Sequence, residues 1–390
     1  MELNLSPELR RLVDEAREWG EREVRPAGLE ADRNAAPLPP EHPYFRKFVD
    51  SGRAGARAQA AETPEGRMVR SVVLGEESAY WDRGMGVATP GAGFPSGAVN
   101  ASGTAEQKER FLGPFRELKD PHWASFALTE PGGGSDTAAF RTRATRTDRG
   151  WLLNGAKCFI GNAARADWIL VQATLDPSLG RAGQRSFFVE KGTAGLSGMK
   201  IEKKMGLRAY ESVSFVLENC EVPAENVLGG EEREARAPGS GTGAYGATMG
   251  ALNSARVGVA ASALGIARAA LDEARRFAKD SGAIRHPRVR DELERVLRKL
   301  RAARLATLKA GWMVDQRRGN VVESSMAKIL AAEIAQEAGT LGMEIVGLEA
   351  GAGEVLIEKL FRDAKALNIV EGTGQIQRVI IARQLVGLPR

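Results

Sequence analysis

Cysteine and histidine are scarce in this sequence, which limits the kinds of site that it can form. Cys158 and Cys220 are its only cysteines, and they lie far apart in apolar surroundings. We therefore expect buried, reduced thiols rather than a disulfide framework or a thiolate metal site. The three histidines, His42, His122 and His286, are equally scattered, which argues against a histidine-built metal centre and a Ser-His-Asp triad.

Long apolar runs and an excess of one charge are also missing. No stretch approaches the roughly 20 apolar residues of a membrane span, and the first 24 residues are charged throughout, so we expect a soluble, cytoplasmic protein. The net charge of +5 is spread over segments of mixed sign without a basic tail. It suits an anionic small molecule at least as well as nucleic acid, and we expect neither a nucleic-acid nor a membrane partner.

The chain of 390 residues is too long for one hydrophobic core, and its pattern changes twice. Residues 1–122 have helical periodicity. Residues 123–238 contain short β-rich runs separated by Gly, Asn, Asp and Pro, which predict a small antiparallel sheet or barrel. Apolar side chains recur every three or four positions in residues 239–390, which predicts a four-helix bundle. The predicted fold is α+β and mainly α, with an N-terminal α-helical domain, a middle antiparallel β domain and a C-terminal bundle.

The first helix is predicted from its capping residues and its periodicity. Ser6 can act as the N-cap and Pro7 as the first helical residue. The helical pattern then continues to Arg25. Because a proline inside a helix removes a hydrogen bond and clashes with the preceding turn, we expect Pro26 to end the helix.

A segment near the start of the bundle resembles a dinucleotide-binding loop. Gly241–Gly246 matches the G-x-G-x-x-G pattern, but that fingerprint requires a strand immediately before it. The preceding residues, Glu231–Arg236, are mostly charged. The sequence also lacks the G-x-x-x-x-G-K-[ST] pattern of a phosphate-binding loop. We therefore expect neither a nicotinamide site nor a P-loop.

The stretch Phe126–Asp136 describes a site. An apolar run that can form a strand meets Pro131, which cannot donate to a sheet, and then three glycines that tolerate positive φ. The strand must therefore end in a turn. Backbone N–H groups of such a turn, with the hydroxyls of Thr129 and Ser135, form neutral donors suited to carbonyls, ring nitrogens or phosphates. The alternative is an ordinary surface loop.

A second informative stretch surrounds Glu371. This residue follows the apolar Ile369 and Val370 and precedes a Gly-Thr-Gly turn that leads into a helix. An isolated carboxylate at an apolar mouth has a raised pKa and can serve as a general base. The alternative is that Glu371 or Thr373 only caps the next helix.

The order of the three regions and four motif blocks resembles the acyl-CoA dehydrogenase family. The similarity extends over nearly the whole chain, and four blocks in one order are far more specific than any single motif. These blocks are Phe126–Asp136; Lys203–Arg208 with Cys220–Gly229; Met249–Arg256; and Lys359–Arg378.

The resemblance implies an FAD cofactor between the β domain and the bundle, and the α,β-dehydrogenation of an acyl thioester. Glu371 would take the α-proton while a hydride leaves the β-carbon for flavin N5. The residues implied to bind FAD are Phe126, Leu128, Thr129, Ser135, Phe159, Gly161, Thr373 and Gln375. Those implied to bind substrate are Ser135, Asn253, Arg256 and Gly372.

The resemblance also implies partners and a metabolic role. The substrate would be an acyl-CoA or a carrier-protein thioester of fatty acid metabolism, and an electron-transferring flavoprotein would be the electron acceptor. We expect a homo-oligomer, either a dimer or a homotetramer. The sequence specifies neither the length nor the branching of the acyl chain.

Four departures from the family pattern affect these expectations. Lys279–Arg285 replaces an Arg-x-x-Phe-Gly segment, and Glu344 replaces a glutamine, at positions through which one subunit reaches a neighbour's flavin. Gly161 stands where a hydroxyl residue often bonds the flavin, and Gly52–Glu77 lacks a usual Glu-Glu-Tyr-Gly-Gly segment. Two alternatives therefore stay open: one subunit of a heteromeric dehydrogenase, or a flavin-free or non-dehydrogenating relative.

Overall fold

The computed structural model describes residues 5–53, 64–230, 244–347 and 355–387, with side chains from residue 255 onward in the third range. The predicted boundary at 238/239 and the first part of the Gly241–Gly246 motif lie outside the described residues. The architecture is that of the predicted fold: helices first, a curled sheet in the middle, and a helical bundle at the end.

The first helices form a nearly continuous rod, which corrects the prediction for Pro26. Helix α1 (Pro7–Trp19) is capped by the Ser6 hydroxyl, as predicted, and a π-helical segment (Gly20–Val24) connects it to α2 (Arg25–Arg33). The expectation that Pro26 ends the helix is wrong. Pro26 lies in the first turn of α2, directly after the π segment, where a missing N–H and the proline ring are tolerated.

Helix α4 contains a sharp kink next to the residues that line the cavity described below. The other helices of this region are α3 (Pro43–Asp50), α4 (Arg67–Ala88), α5 (Pro95–Ser102) and α6 (Ala105–Leu112). At Asp82 the backbone of α4 is extended, with φ −166° and ψ 116°. The Asp82 carboxylate accepts a hydrogen bond from the Met85 N–H at 2.8 Å, so it restarts the helix in the way that an N-cap does.

Among the described residues, seven strands form the sheet, which curls around its own apolar core. They are β1 (Ala124–Ala127), β2 (Arg143–Thr147), β3 (Gly150–Gly161), β4 (Trp168–Thr174), β5 (Gln184–Glu190), β6 (Leu196–Ile201) and β7 (Ser212–Pro223). The order is β1-β4-β2-β3-β7-β6, and β5 pairs with β4. Most neighbours are antiparallel as predicted, but β4 runs parallel to β1 and meets β2 in parallel at one residue pair. The β2–β3 hairpin lies between β1 and β4 in sequence and supplies the crossover that a parallel pair needs.

The bundle packs around one central helix. Its helices are α7 (Ala244–Asp280), α8 (Pro287–Asp315), α9 (Val321–Val346), α10 (Leu356–Leu367) and α11 (Gly374–Val386). Val257, Ala260 and Leu264 of α7 are fully buried in the largest hydrophobic core. A side chain at Gly265 would overlap the Glu76 carbonyl oxygen of α4, so the glycine lets α4 and α7 approach closely. These two helices form one wall of the site.

A buried charge cluster joins the three parts of the fold. Lys359 Nζ of α10 lies 2.6 Å from the Asp82 carboxylate and 2.5 Å from that of Asp363. Asp363 also accepts the Leu207 N–H at 2.5 Å, from the loop before β7. Burial raises the pKa of Asp363, and the Lys359 charge opposes that rise. The cluster therefore fixes the kink of α4 relative to the bundle and the sheet.

Both cysteine thiols are free and buried. Cys158 and Cys220 are both free and buried, as expected, and burial raises the pKa of the Cys220 thiol to about 11. Within the described ranges, no three His, Cys, Asp or Glu side chains gather in a way that could hold a metal ion. No helix in this part of the chain has the length and apolar character needed to cross a membrane.

Candidate active site

A large cavity lies between the sheet and the bundle. Its volume is about 1550 Å³, which exceeds the roughly 300–1,000 Å³ of a pocket for one small ligand and leaves room for two. The sheet contributes the β1 turn and the end of β3, and further lining residues come from α4, α5, α7, the segment before α11 and α11 itself. Most of the sequence-predicted site residues meet here: Phe126, Leu128, Thr129, Ser135, Phe159, Gly161, Arg256, Glu371, Gly372 and Thr373.

Two of the predicted site residues, Gln375 and Asn253, are not seen to line this cavity. Gln375 is exposed in the first turn of α11 and is not part of the lining. Asn253 lies on α7, but its side chain is outside the described residues. Their assignments stay predictions.

The turn after β1 is tight and faces open space. The Glu130 N–H donates to the Gly133 carbonyl at 3.2 Å, and the Gly133 N–H donates back at 3.0 Å. No heavy atom lies within 4 Å of the positions that a Cβ would take on Gly132 or Gly133. Backbone groups of this turn are therefore accessible to a ligand beside Thr129 and Ser135, as the sequence predicts.

A buried ion pair between Lys157 and Glu130 supports this turn, and it was not predicted from the sequence. Lys157 of β3 is 1% exposed. Its Nζ donates to the Leu128 carbonyl at 3.0 Å and to the Glu130 carboxylate at 2.8 Å. Glu130 also accepts the N–H groups of Arg141 and Thr142, at 2.6 and 2.9 Å. Burial lowers the pKa of Lys157 to about 8, and Glu130 opposes that change. The ion pair therefore fixes the backbone segments on both sides of the turn.

An aromatic ring is exposed at the end of β3. The pairing of β3 with β7 shifts register between Lys157 and Ile160, and Phe159 within this bulge has φ +59°. The bulge re-aims the side chain, so that Phe159 lines the cavity while 68% exposed. A left-handed conformation at a bulky residue is costly. Its occurrence beside the cavity supports a ligand-binding role for the ring.

Glu371 faces the same cavity from the bundle side. Its φ is +54°, a strained conformation of the kind found at functional sites, and Gly372 follows with a φ of +91°, which glycine tolerates. Burial raises the pKa of the Glu371 carboxyl, and the positive charges of Arg83, Arg256 and Lys328 oppose the rise. The capping role falls to another residue: the Thr373 hydroxyl accepts the Ile376 N–H at 3.3 Å. Glu371 therefore remains available to the cavity.

Two buried side chains hold the loop that carries Glu371. Lys328 of α9 is fully buried and donates from Nζ to the Gly372 carbonyl at 2.8 Å. Gln377 of α11, also fully buried, donates to the carbonyls of Glu371 and Gly372 at 3.3 and 3.2 Å. Sequence reasoning missed both. The signal for Lys328 is a lysine between Ala327 and Ile329 in an apolar helical pattern, where a buried cation needs an acceptor.

The comparisons with known proteins agree with this arrangement. Family models described as the N-terminal, middle and C-terminal domains of acyl-CoA dehydrogenase match residues 6–118, 125–220 and 241–386. The chain is 32% identical to an acryloyl-CoA reductase (NADH) of Anaerotignum propionicum over 99% of its own length and 96% of the relative. The chain belongs to the acyl-CoA dehydrogenase family.

Two further relatives in the acyl-CoA dehydrogenase family are similar to the chain. The short-chain specific acyl-CoA dehydrogenase of Mus musculus mitochondria is 35% identical, over 74% of this chain and 69% of the relative. The solved structure of butyryl-CoA dehydrogenase from Megasphaera elsdenii has a TM-score of 0.87 and 29% identity, and it covers 99% of this chain and 100% of the other. The chain is thus similar to this family along its whole length.

Acyl-CoA dehydrogenases bind FAD, and the residues of the cavity fit this cofactor. The exposed ring of Phe159 offers a flat surface to an aromatic ring system. The open turn at Gly132 and Gly133 presents backbone groups beside the hydroxyls of Thr129 and Ser135. These residues would hold the flavin, and the remaining cavity volume would hold the substrate next to Glu371.

Loss of the two hydroxyls should weaken flavin binding. We expect Thr129→Val with Ser135→Ala to lower the flavin-to-protein ratio after dialysis, because two hydrogen bonds of ~0.5–1.5 kcal/mol each would be removed. Absorbance of the bound flavin measures the ratio. Thr145→Val with Ser197→Ala, at exposed positions of the sheet, is the matched control. An unchanged ratio in the first variant would contradict the assignment of these hydroxyls.

Proposed function

We propose that this chain catalyses the FAD-dependent α,β-dehydrogenation of an acyl thioester, with acyl-CoA as the simplest substrate. The observation that supports this most is Glu371. Glu371 lines a cavity with room for two ligands, and the same cavity is lined by the turn and the exposed ring suited to a flavin. Family members act on the CH–CH bond of acyl thioesters, which is the bond that such an arrangement addresses.

The mechanism assigns Glu371 as the general base. Desolvation raises the pKa of its carboxyl and so makes the carboxylate more basic than in water, while the nearby cations oppose that rise. The carboxylate removes the proton from the α-carbon, next to the thioester carbonyl. We assign the Glu371 N–H to that carbonyl, where a preorganised donor stabilises the developing negative charge. Bound FAD supplies the acceptor for the hydride of the β-carbon.

The loop contacts of Glu371 explain how the base is held in position. Lys328 and Gln377 bind the carbonyls of Glu371 and Gly372, so the backbone that carries the carboxylate is held in place. A base that is held near the reacting proton loses little entropy in the transition state. Apolar residues, Leu207 and Val259 among them, also line the cavity, and apolar walls limit the access of water.

The reverse reaction is the second candidate, because a full-length relative is named acryloyl-CoA reductase (NADH). Reduction of an enoyl thioester would use the same groups: bound FAD in its reduced form would supply the hydride for the β-carbon, and protonated Glu371 would give its proton to the α-carbon. A raised pKa suits this role as well. Incubation of the flavin-loaded protein with an acyl-CoA and an artificial electron acceptor tests the direction. Mass spectrometry should show a thioester lighter by two hydrogens. Its absence, together with reduction of an enoyl-CoA by protein whose flavin has first been reduced with dithionite, would favour the reductase.

The proposed function also includes an electron acceptor and an oligomeric state. We propose an electron-transferring flavoprotein as acceptor and a homo-oligomeric state. Glu344 is exposed on α9, and Ser281 is exposed just after α7, so both are accessible to a neighbouring subunit. The heteromeric alternative predicts that the chain purified alone carries substoichiometric flavin. The reason is that the residues through which one subunit would make charge-assisted contacts with its neighbour's flavin are replaced in this chain, at Lys279–Arg285 and Glu344. Full, dialysis-resistant flavin on the isolated homo-oligomer would rule that alternative out.

The pH dependence should reveal the contribution of Lys328. A cation stabilises the carboxylate, so Lys328→Met raises the pKa of Glu371 further, and the acidic limb of the kcat/KM profile moves to higher pH. Burial lowers the pKa of Lys328 itself to about 8, so this electrostatic effect should fade above about pH 8. Flavin reduction at a series of pH values measures the profile, with exposed Lys309→Met as control. A limb that stays in place would contradict this role.

A further inference from the structure

One tyrosine hydroxyl at the cavity wall has no hydrogen-bond partner among the described residues. Tyr210, in the loop before β7, is half-buried and lines the cavity together with Phe159 and Gly161. No described residue donates to its hydroxyl or accepts from it. Tyrosine hydroxyls in largely buried surroundings usually have a partner. Because the cavity is the space that Tyr210 borders, we expect the partner to be a ligand.

Lys204 holds Tyr210 in place from two sides. Its Nζ lies 3.2 Å from the centre of the Tyr210 ring and donates to the Tyr210 carbonyl at 2.6 Å. The same ammonium group donates to the Leu207 carbonyl at 2.7 Å. One lysine therefore contacts both the face of the ring and the backbone of the loop, so the ring that carries the hydroxyl has little freedom to move.

The edge of the Tyr210 ring fills the space beside Gly161, at the end of β3. A Cβ on Gly161 would lie 3.8 Å from Tyr210 Cε2 and 4.0 Å from Cδ2, and it would meet no other described residue within 4 Å beyond its chain neighbours. Cε2 is the ring atom nearer to the hydroxyl. The Asn162 N–H donates to the Glu211 carbonyl at 3.1 Å and joins the two segments here. The tyrosine thus brings a hydroxyl to a place where Gly161 has no side chain.

The surroundings of Tyr210 keep its hydroxyl protonated. Burial raises the pKa of the phenol, and the charges of Glu371 and Asp363 act in the same direction, whereas the charge of Arg83 opposes the rise. A phenol with a raised pKa is neutral at physiological pH and can donate a hydrogen bond. Tyr210 therefore has the same neutral donor character as the two hydroxyls of the β1 turn.

A flavin offers the acceptors that this hydroxyl needs. The ring system of a flavin carries carbonyl oxygens and ring nitrogens that accept hydrogen bonds. The acyl chain of a substrate has no acceptor, and the thioester carbonyl is already assigned to the Glu371 N–H. Phe159, two residues before Gly161, exposes its ring to the same cavity, where it suits the flat face of a flavin.

We infer that Tyr210 is a flavin-binding residue, whose hydroxyl donates a hydrogen bond to the flavin ring beside Gly161. The inference rests on the proposed function through its cofactor, FAD. Reduction places additional negative charge on the acceptors of the ring, and hydrogen bonds to charged acceptors are stronger. The Tyr210 hydroxyl therefore stabilises reduced flavin more than oxidised flavin.

Tyr210→Phe removes the hydroxyl and keeps the ring. In flavin-loaded protein without any thioester, we expect the Kd of FAD to rise by about 2- to 12-fold, which is the effect of one hydrogen bond. The midpoint potential of the flavin should become more negative. Flavin fluorescence on serial dilution measures the Kd, and equilibration with redox dyes measures the potential. Tyr80→Phe is the matched control, because the Tyr80 hydroxyl is bonded to Asp272 and Tyr80 is not part of the lining.

A serine at position 161 should rescue the variant. The space at Gly161 admits a Cβ in ordinary contact with the neighbouring ring, so the fold should tolerate the substitution. Gly161→Ser with Tyr210→Phe should recover most of the lost FAD affinity, because it returns a hydroxyl to the same place. Gly161→Ala with Tyr210→Phe adds the Cβ alone and should recover none. If serine recovers no more than alanine, the acceptor does not lie beside Gly161 and the inference is wrong.

The remaining outcomes also decide the role of Tyr210. An unchanged Kd of FAD and an unchanged potential in Tyr210→Phe would overturn the inference. So would a variant that keeps both flavin properties but binds acyl-CoA more weakly, since the hydroxyl would then serve the substrate. If Tyr210→Phe lowers the urea midpoint, a loss of FAD that serine at position 161 does not reverse counts against the inference. These readouts need no turnover, so they hold even if no thioester reduces the flavin and the proposed function fails.

Discussion

Glu371→Gln should abolish the reduction of bound flavin by acyl thioesters while the flavin stays bound. Glutamine keeps the shape of the side chain but cannot accept the α-proton. General acid–base catalysis contributes typically ~10²–10⁴-fold. The loop contacts from Lys328 and Gln377 add positioning to this effect, so we expect a loss of about three decades or more in the rate.

Rapid mixing with an acyl-CoA under anaerobic conditions measures this rate from the flavin absorbance. Glu117→Gln, at an exposed position before the sheet, is the matched control and should react like the wild type. The flavin-to-protein ratio of Glu371→Gln should also equal that of the wild type. If Glu371→Gln retained a tenth of the wild-type rate, the proton would go to another group.

Lys359→Met should destabilise the fold severely. The variant leaves the carboxylates of Asp82 and Asp363 buried without their cation, and breaking such a pair costs about 3–5 kcal/mol. We expect a marked fall in the urea midpoint. Because Asp82 caps the second half of α4, we also expect the cavity wall at Arg83 to lose its order.

Two companion variants separate charge from packing. Lys365→Met, exposed on the same helix α10, should change the stability by no more than about 0.5 kcal/mol. Lys359→Met with Asp363→Asn should recover part of the loss, because one uncompensated charge is removed. A urea midpoint of Lys359→Met close to that of the wild type would show that these carboxylates are solvated or protonated without cost.

Local patterns predicted the helices and strands that bury a regular apolar face. The stripe of Val257, Ala260 and Leu264 specified α7 because every member enters the core. Strand β2 (Arg143–Thr147) and strand β6 (Leu196–Ile201) were not predicted, because most of their side chains are exposed and carry no alternation of apolar and polar residues. Pro26 was wrongly predicted to end the first helix, because a π-helical segment directly before it lets a new helix begin with the proline in its first turn.

The candidate site was predictable where a motif is contiguous. The turn after Phe126 and the loop at Glu371 could each be interpreted from neighbouring residues. The positions of Lys157, Lys328 and Arg83 could not be predicted from the sequence. The partners of the two lysines are distant in sequence, and Arg83 follows a kink in its helix that the sequence pattern does not indicate. The link between Lys328 and Gly372 spans 44 positions, and only the fold brings such groups together.

Anaerobic titration of the purified, flavin-loaded protein with acyl-CoA thioesters of several chain lengths tests the proposed function most directly. We predict that the oxidised flavin spectrum bleaches and that the corresponding enoyl thioester appears in an amount equal to the flavin reduced. The pH should lie above the pKa of Glu371, so that the base is ionised. A flavin spectrum unchanged by every thioester, in protein whose flavin is readily reduced by dithionite, would contradict acyl-thioester dehydrogenation by this chain.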